Sequence, residues 1–205
     1  RFPPDLLVLS GDITQRARPA QFRAAQACVE RLGAPVLAIP GNHDIALFDL
    51  WARLTRPYAR FSAVFGADLE PVHASPDWLV VGVNTTRARR HRHGEVSAAQ
   101  IERVARLLAS ASPRQLRVVV VHQPVAVPLD NERHNLLRGN AQATRAWAAA
   151  GADIVMNERH TLAQFLVVID NGGLRNAQRG FLGHRLHDHG RPDLADVHHR
   201  SRGHQ

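Results

Sequence analysis

Val36-Leu37-Ala38-Ile39-Pro40-Gly41-Asn42-His43-Asp44 is the stretch that decides how this chain is read. Four apolar residues form a short strand, and Pro40-Gly41 closes it. Three polar residues of different chemistry follow at its carboxyl end, where ligands sit in α/β sheets. An Asn carbonyl oxygen, a His nitrogen and an Asp carboxylate together suit a hard or borderline divalent metal. Asn and Asp are also ordinary turn formers, so the reading needs support from elsewhere in the chain.

That support lies on both sides. Upstream, Leu6-Leu7-Val8-Leu9 is a wholly apolar run of the kind buried on both sheet faces, and it ends in Ser10-Gly11-Asp12. Downstream, Leu116 to Val121 is the strongest strand in the chain and ends in His122-Gln123-Pro124. Helices separate the strands. One has Pro19 in its first turn and Gly33 just past its end, and a second is expected over about Ala46 to Leu54. Ser97-Ala98-Ala99-Gln100 has the form of a capping box before the apolar stripe Ile101, Val104, Ala105 and Leu108. Further strands are expected at Trp78 to Val83 and Ala152 to Met156, with a helix over Gln142 to Ala150. Strands alternating with helices imply a layered α/β sandwich. Cys28, inside the first helix, is expected to be a packing residue. Asn84-Thr85-Thr86-Arg87 follows a strand on the presumed active side and reads either as a rim of the site or as a plain turn.

Composition narrows the function class. The chain has 205 residues, consistent with one domain, and its 26 basic residues, all Arg, exceed its 18 acidic ones to give a net charge of +8. With 44% apolar and 21% charged residues it is neither disordered nor fibrous. No run of apolar residues is long enough to span a membrane. A single cysteine excludes an intrachain disulfide and fits a reducing, cytoplasmic compartment; Arg1-Phe2-Pro3-Pro4 shows no signal-peptide pattern. The charge does not argue for nucleic acid. The Arg residues are scattered, and the densest cluster, Arg87, Arg89, Arg90 and Arg92 with His91 and His93, has no interleaved aromatics to stack bases. It can still steer a phosphate-bearing substrate. After Met156 the character changes: residues 157–205 hold 7 of the 13 His, one apolar run at Phe165 to Ile169, and then no periodicity. This stretch is expected to be an atypical tail, poorly ordered or a frame-shifted continuation.

Taken in order, Leu9-Ser10-Gly11-Asp12, Ile39-Pro40-Gly41-Asn42-His43-Asp44 and Val121-His122-Gln123-Pro124 resemble the calcineurin-like metallophosphoesterase superfamily. The resemblance covers about residues 3–156 and points to its bacterial cyclic-nucleotide-phosphodiesterase-like branch. It implies two β-sheets flanked by helices, in α/β/β/α layers, with a centre of two divalent ions (Mn, Fe or Zn) at the strand ends. Asp12 falls at the bridging carboxylate, and Asn42 and His122 at ligands of the second metal. His43 falls at the non-ligand His that protonates the leaving group, and Asp44 is expected to orient it by a hydrogen bond. The implied reaction is phosphoester hydrolysis by a metal-bridging hydroxide. The substrate class is a small phosphoester, with cyclic nucleotides among the candidates.

Two departures accompany the resemblance. The superfamily opens with a strand ending in Asp-x-His, and nothing before Asp12 supplies it, so the domain over 1–156 is expected to lack its first strand. The superfamily's Gly-His-x-His is replaced by Asn157-Glu158-Arg159-His160-Thr161-Leu162. His160 can stand for the first His, whereas Gly183-His184-Arg185-Leu186-His187 is one residue too long and lies too far downstream. The chain is therefore expected to keep one metal site, from Asp12, Asn42, His122 and His160. Two other readings compete: a catalytically inactive binding module on the same fold, and a basic nucleic-acid-binding protein.

Overall fold

A computed structural model describes residues 4–47, 49–90, 93–127 and 130–157, and three strands beyond them at 166–170, 173–176 and 184–185. Two sheets form the centre. The first has the order β2-β1-β7-β8, from Val36–Ala38, Leu6–Leu9, Leu166–Asp170 and Gly173–Asn176. The second has the order β3-β4-β5-β6-β9, from Val72–Ala74, Trp78–Gly82, Leu116–Val120, Ile154–Met156 and His184–Arg185. β1 runs parallel to β2, and β4, β5 and β6 run parallel to one another. Their carboxyl ends therefore share one edge of each sheet. The remaining pairings, at β3, β7, β8 and β9, are antiparallel.

Strand periodicity explains the layers. Leu6 and Val8 of β1 face the second sheet, where they join Leu37, Ile39, Val80, Val118, Val120 and Met156 in the core between sheets. Leu9 and Ala38 join Phe22 and Phe61 in a separate core under α1 (Pro19–Glu30) and α3 (Ala59–Phe65). Val81, Val119 and Val121 pack outward against Ile101, Val104 and Leu108 of α4 (Ala98–Ala109) and Trp147 of α5 (Asn140–Ala149). Four layers result, α/β/β/α, as the family resemblance implies. Ser97 caps α4 by accepting the Gln100 N–H at 3.2 Å.

The structure corrects several local expectations. The helix expected over about Ala46 to Leu54 starts later, as α2 at Leu50–Thr55, and a single 3₁₀ turn at Asn42–Asp44 precedes it. Ile45 and Ala46 are buried spacers, and the side chain of Asp49 accepts the Ala52 N–H at 3.0 Å, which fixes where α2 starts. α3 and β3 were not expected. α3 is held by ring packing, with Phe61 and Phe65 each edge-on to Phe22 at centroid distances of 6.4 and 6.5 Å. Cys28 does lie on α1 but is exposed rather than packed. The inward stripe of α1 runs through Phe22, Ala25 and Val29, and Cys28 sits about 100° away from Val29 around the helix. Within 157–205, expected as an atypical tail, the described residues are Asn157 and the strands β7, β8 and β9, with Leu166 to Ile169 paired along β1; the rest of that stretch lies outside the described residues. Among the described residues, no helix is long and apolar enough to cross a membrane.

Candidate metal centre

Three strand ends converge at one edge, and two glycines let them close. Gly11 has φ +103°, and a Cβ there would stand 2.5 Å from His122 Nδ1. A Cβ at Gly41 would collide with the backbone N and Oδ1 of Asp12. Asp12 itself adopts a left-handed φ of +48°, which Asp tolerates better than most residues. The loop after β1 thus folds tightly under the loop after β2, and Asp12 meets Asn42 and His122.

His122 is almost fully buried. Its Nδ1 lies 3.0 Å from the Ser10 carbonyl oxygen, which can only accept, so Nδ1 carries the proton. Nε2 then presents a lone pair to Asn42 Oδ1 at 3.0 Å and to Asp12 Oδ1 at 3.3 Å. On the neutral ring Nε2 has no hydrogen to give to either oxygen. Either an extra proton on the imidazole or a cation must resolve that arrangement. Imidazole, amide oxygen and carboxylate are a suitable donor set for a divalent transition metal. The backbone carbonyl behind Nδ1 is the outer-shell partner that orients a ligating His. The residues present therefore fit a metal ion. Burial alone would raise the Asp12 carboxyl. The hydrogen bond and charge of His122, with the His43 N–H at 2.8 Å, outweigh burial and hold it below the ordinary 3.8.

The structure brings Asp12, Asn42 and His122 together. His160 lies outside the described residues. Among the described residues no group of three or more His, Cys, Asp and Glu is arranged to hold a metal, so the Asn42 amide is what completes this set.

His43 stands beside the set with its side chain about two-fifths exposed. Its Nε2 is 3.9 Å from Asp12 Oδ2, and its Nδ1 is 3.0 Å from the Gln15 carbonyl oxygen. The expectation that Asp44 orients this ring is corrected here, because the Gln15 carbonyl takes that position. Asp44 is fully buried and does other work. Its carboxylate accepts the N–H groups of Ile13 at 3.1 Å, Thr14 at 2.8 Å and Gly41 at 2.9 Å, and the Thr14 hydroxyl at 2.9 Å. It pins the first loop to the second. Burial pushes its carboxyl up to about 6 against the hydrogen bonds from Gly41 and Thr14, with the Asp12 charge adding to the rise.

A family description of calcineurin-like phosphoesterases matches residues 1–156. The chain belongs to the calcineurin-like phosphoesterase family. It is 32% identical over 124 residues to a probable cyclic nucleotide phosphodiesterase of Synechococcus, an overlap of 60% of this chain and 44% of that protein. It is also 32% identical over 131 residues to a cAMP/cGMP dual specificity phosphodiesterase of Mycobacterium tuberculosis, covering 62% and 39% of the two chains. A 3',5'-cyclic adenosine monophosphate phosphodiesterase of Escherichia coli is 28% identical over 124 residues, covering 59% and 41%. The chain thus spans about two fifths of the length of these curated relatives.

Within this family member, the segment weighed as a rim is a buried corner. Asn84, Thr85 and Thr86 are all buried. The Thr86 hydroxyl donates to Asn84 Oδ1 at 2.6 Å, and the Thr85 hydroxyl donates to Gln123 Oε1. Glu70 Oε1 accepts the Asn84 N–H at 3.1 Å, and Arg87 is tied to Gln100 Oε1 at 2.9 Å. Gln123 therefore braces the loop beside His122. Of the arginine cluster, Arg87 is spent in this corner and Arg90 pairs with Glu95 at 2.6 Å. His91 and Arg92 lie outside the described residues.

A cleft of about 640 Å³ opens beside His43, lined by Gln15, Arg16, Arg18, Gln21, Ile45 and Leu47 as well. Among the described residues, the arginines that line this cleft are Arg16 and Arg18, which the sequence pattern did not single out. Lone Arg residues after a Gly-Asp turn look like ordinary surface charge.

Proposed function

We propose that this chain carries the metal-binding core of a metal-dependent phosphodiesterase acting on small phosphoesters. The names of its relatives point to cyclic nucleotides as one substrate class. The supporting observation is the convergence of Asn42 Oδ1, at 3.0 Å, and Asp12 Oδ1, at 3.3 Å, on His122 Nε2. Asp12, Asn42 and His122 would hold a divalent ion, with His160 a further proposed ligand. Such an ion supplies Lewis acidity toward phosphoryl oxygens and makes water nucleophilic near neutral pH.

The chain's own residues account for the remaining steps. Asp12 brings a full negative charge and two oxygens to the site. His43 keeps its Nδ1 proton on the Gln15 carbonyl, so Nε2 is the atom that gains and loses a proton. Protonated, it faces the Asp12 carboxylate and lies open to the cleft, and from there it can hand its proton to a departing alkoxide. Asp44 keeps the two loops at the spacing that this geometry needs.

Manganese binding followed by electron paramagnetic resonance, paired with hydrolysis of bis-p-nitrophenyl phosphate, tests the proposal. The chain is expected to bind Mn²⁺, and a double Asn42→Ala, His122→Ala variant is expected to lose that binding. Unchanged stoichiometry in the double variant would refute the site. His43→Ala should keep Mn²⁺ and lose roughly 10²-fold or more in hydrolysis. A second reading, a binding module on the same fold, is favoured by the described residues holding a single three-donor set. It predicts Mn²⁺ binding with no hydrolysis in the parent chain.

A further inference from the structure

Arg16 and Arg18 stand on either side of a strained residue. Ala17 has φ +48°, an unfavourable value for a residue with a Cβ, and it is completely buried. Four hydrogen bonds, two of its own and two of its neighbours, hold it there. Its N–H donates to the Thr14 hydroxyl oxygen at 3.0 Å, and its carbonyl accepts from Arg60 at 3.2 Å. Gln21 Oε1 accepts the N–H groups of both Arg16, at 3.2 Å, and Arg18, at 3.3 Å. Burying Ala17 turns its two neighbours outward on a pinned backbone, and both are exposed beside the His43 cleft.

Among the described residues, four other arginines pair with carboxylates: Arg60 with Asp49, Arg90 with Glu95, Arg103 with Glu70 and Arg106 with Glu102. Among the described residues, Arg16 and Arg18 form no ion pair, and no carboxylate lines the cleft they share with His43. Two exposed guanidinium groups on one short loop with a pinned backbone, in a cleft whose lining holds no carboxylate, complement a phosphate group in charge. We propose that the Arg16-Ala17-Arg18 loop is a subsite for a second phosphate on the leaving-group side of the substrate. The site then prefers phosphodiesters whose departing alcohol is itself phosphorylated over singly charged ones such as cyclic nucleotides. This rests on the reading of His43 as the group that faces the leaving alcohol.

Calorimetric titration in excess Mn²⁺ tests the subsite with two probes that differ by one phosphate, adenosine 5'-monophosphate and adenosine 3',5'-bisphosphate. The parent chain should bind the bisphosphate about tenfold or more tighter, since each charge-assisted contact to phosphate is strong. An Arg16→Gln, Arg18→Gln double variant should bind the two probes alike and keep its affinity for the monophosphate within about twofold. An Arg23→Gln, Arg31→Gln variant, which removes the same charge from exposed positions on and just after α1, should retain the preference. Equal binding by the parent chain, a preference that survives in the first variant, or its equal loss in the second would overturn the subsite. If the monophosphate and Mn²⁺ bind without any preference, the subsite alone falls and the phosphodiesterase reading stands. If Mn²⁺ itself does not bind, both fall.

Discussion

Asp44→Ala is expected to destabilise the fold by about 3–5 kcal/mol and to abolish Mn²⁺ binding. The carboxylate is the shared acceptor for three backbone N–H groups and the Thr14 hydroxyl, all buried, and these come from two loops about 30 residues apart in sequence. Leaving a buried donor unpaired costs roughly 1–3 kcal/mol, so four would cost more than the expected total. Part of that loss is returned. Burial and the Asp12 charge raise the carboxyl from 3.8 to about 6 even against its hydrogen bonds, and Ala no longer carries that penalty. The balance remains strongly destabilising. In a chain of this size it corresponds to a fall in melting temperature of roughly 10 °C, measurable by circular dichroism. Asp44→Asn should not rescue the site, because its amide N–H₂ would point a donor at donors. A fall of less than about 3 °C in Asp44→Ala would show that the loops are pinned by something else.

Gly41→Ala is expected to weaken Mn²⁺ binding by roughly 10–100-fold, the range seen when groups supporting metal ligands are lost. The added methyl would meet the Asp12 backbone nitrogen and carboxylate oxygen, and would also stand 2.9 Å from the Asp12 Cα. The carboxylate oxygen could swing aside, but the backbone nitrogen and the Cα cannot. Asp12 must therefore move bodily, and it already sits in a left-handed conformation with little room to adjust. Its Oδ1 would leave the 3.3 Å approach to His122 and the 2.8 Å bond from the His43 N–H. Isothermal titration with Mn²⁺ reads the loss directly. Parent-like affinity would mean that Asp12 is not a ligand. Asn42→Asp is a useful companion, since it keeps an oxygen donor at the same place and should retain binding.

Much of this architecture was legible in the chain itself. Leu6–Leu9 and Leu116–Val121 are apolar at every or nearly every position, which only strands covered on both faces require, and that implied sheets between helical layers. Gly-Asp, Gly-Asn-His-Asp and His at successive strand ends carried the site, because ligand chemistry and tight turns leave local marks. The misses share a cause. Cys28 was placed on the right helix and the wrong side, because the direction of the core is set by Phe61 and Phe65, which are 30 or more residues away in sequence. α3 is only seven residues long, and its ordering depends on packing against Phe22 rather than on its own propensity. Asn84-Thr85-Thr86 has the composition of an exposed turn and is buried because Gln123 and Glu70 satisfy it.

The amino-acid sequence by itself determined the alternation of strands and helices and the polar strand ends that hold Asp12, Asn42, His43 and His122, since periodicity and turn chemistry are local properties, while the layer order was implied by the family resemblance. Only the tertiary structure decided what holds those groups in place. The Ser10 and Gln15 carbonyls that orient the two imidazoles are main-chain atoms, which any residue type would provide, so no side chain advertises them. Asp44 changed from an expected partner of its neighbour His43 to the clamp between two distant loops, because a buried carboxylate goes where the most unpaired donors are. Arg16 and Arg18 became a feature of the site only when the burial of Ala17 between them turned both toward the cleft.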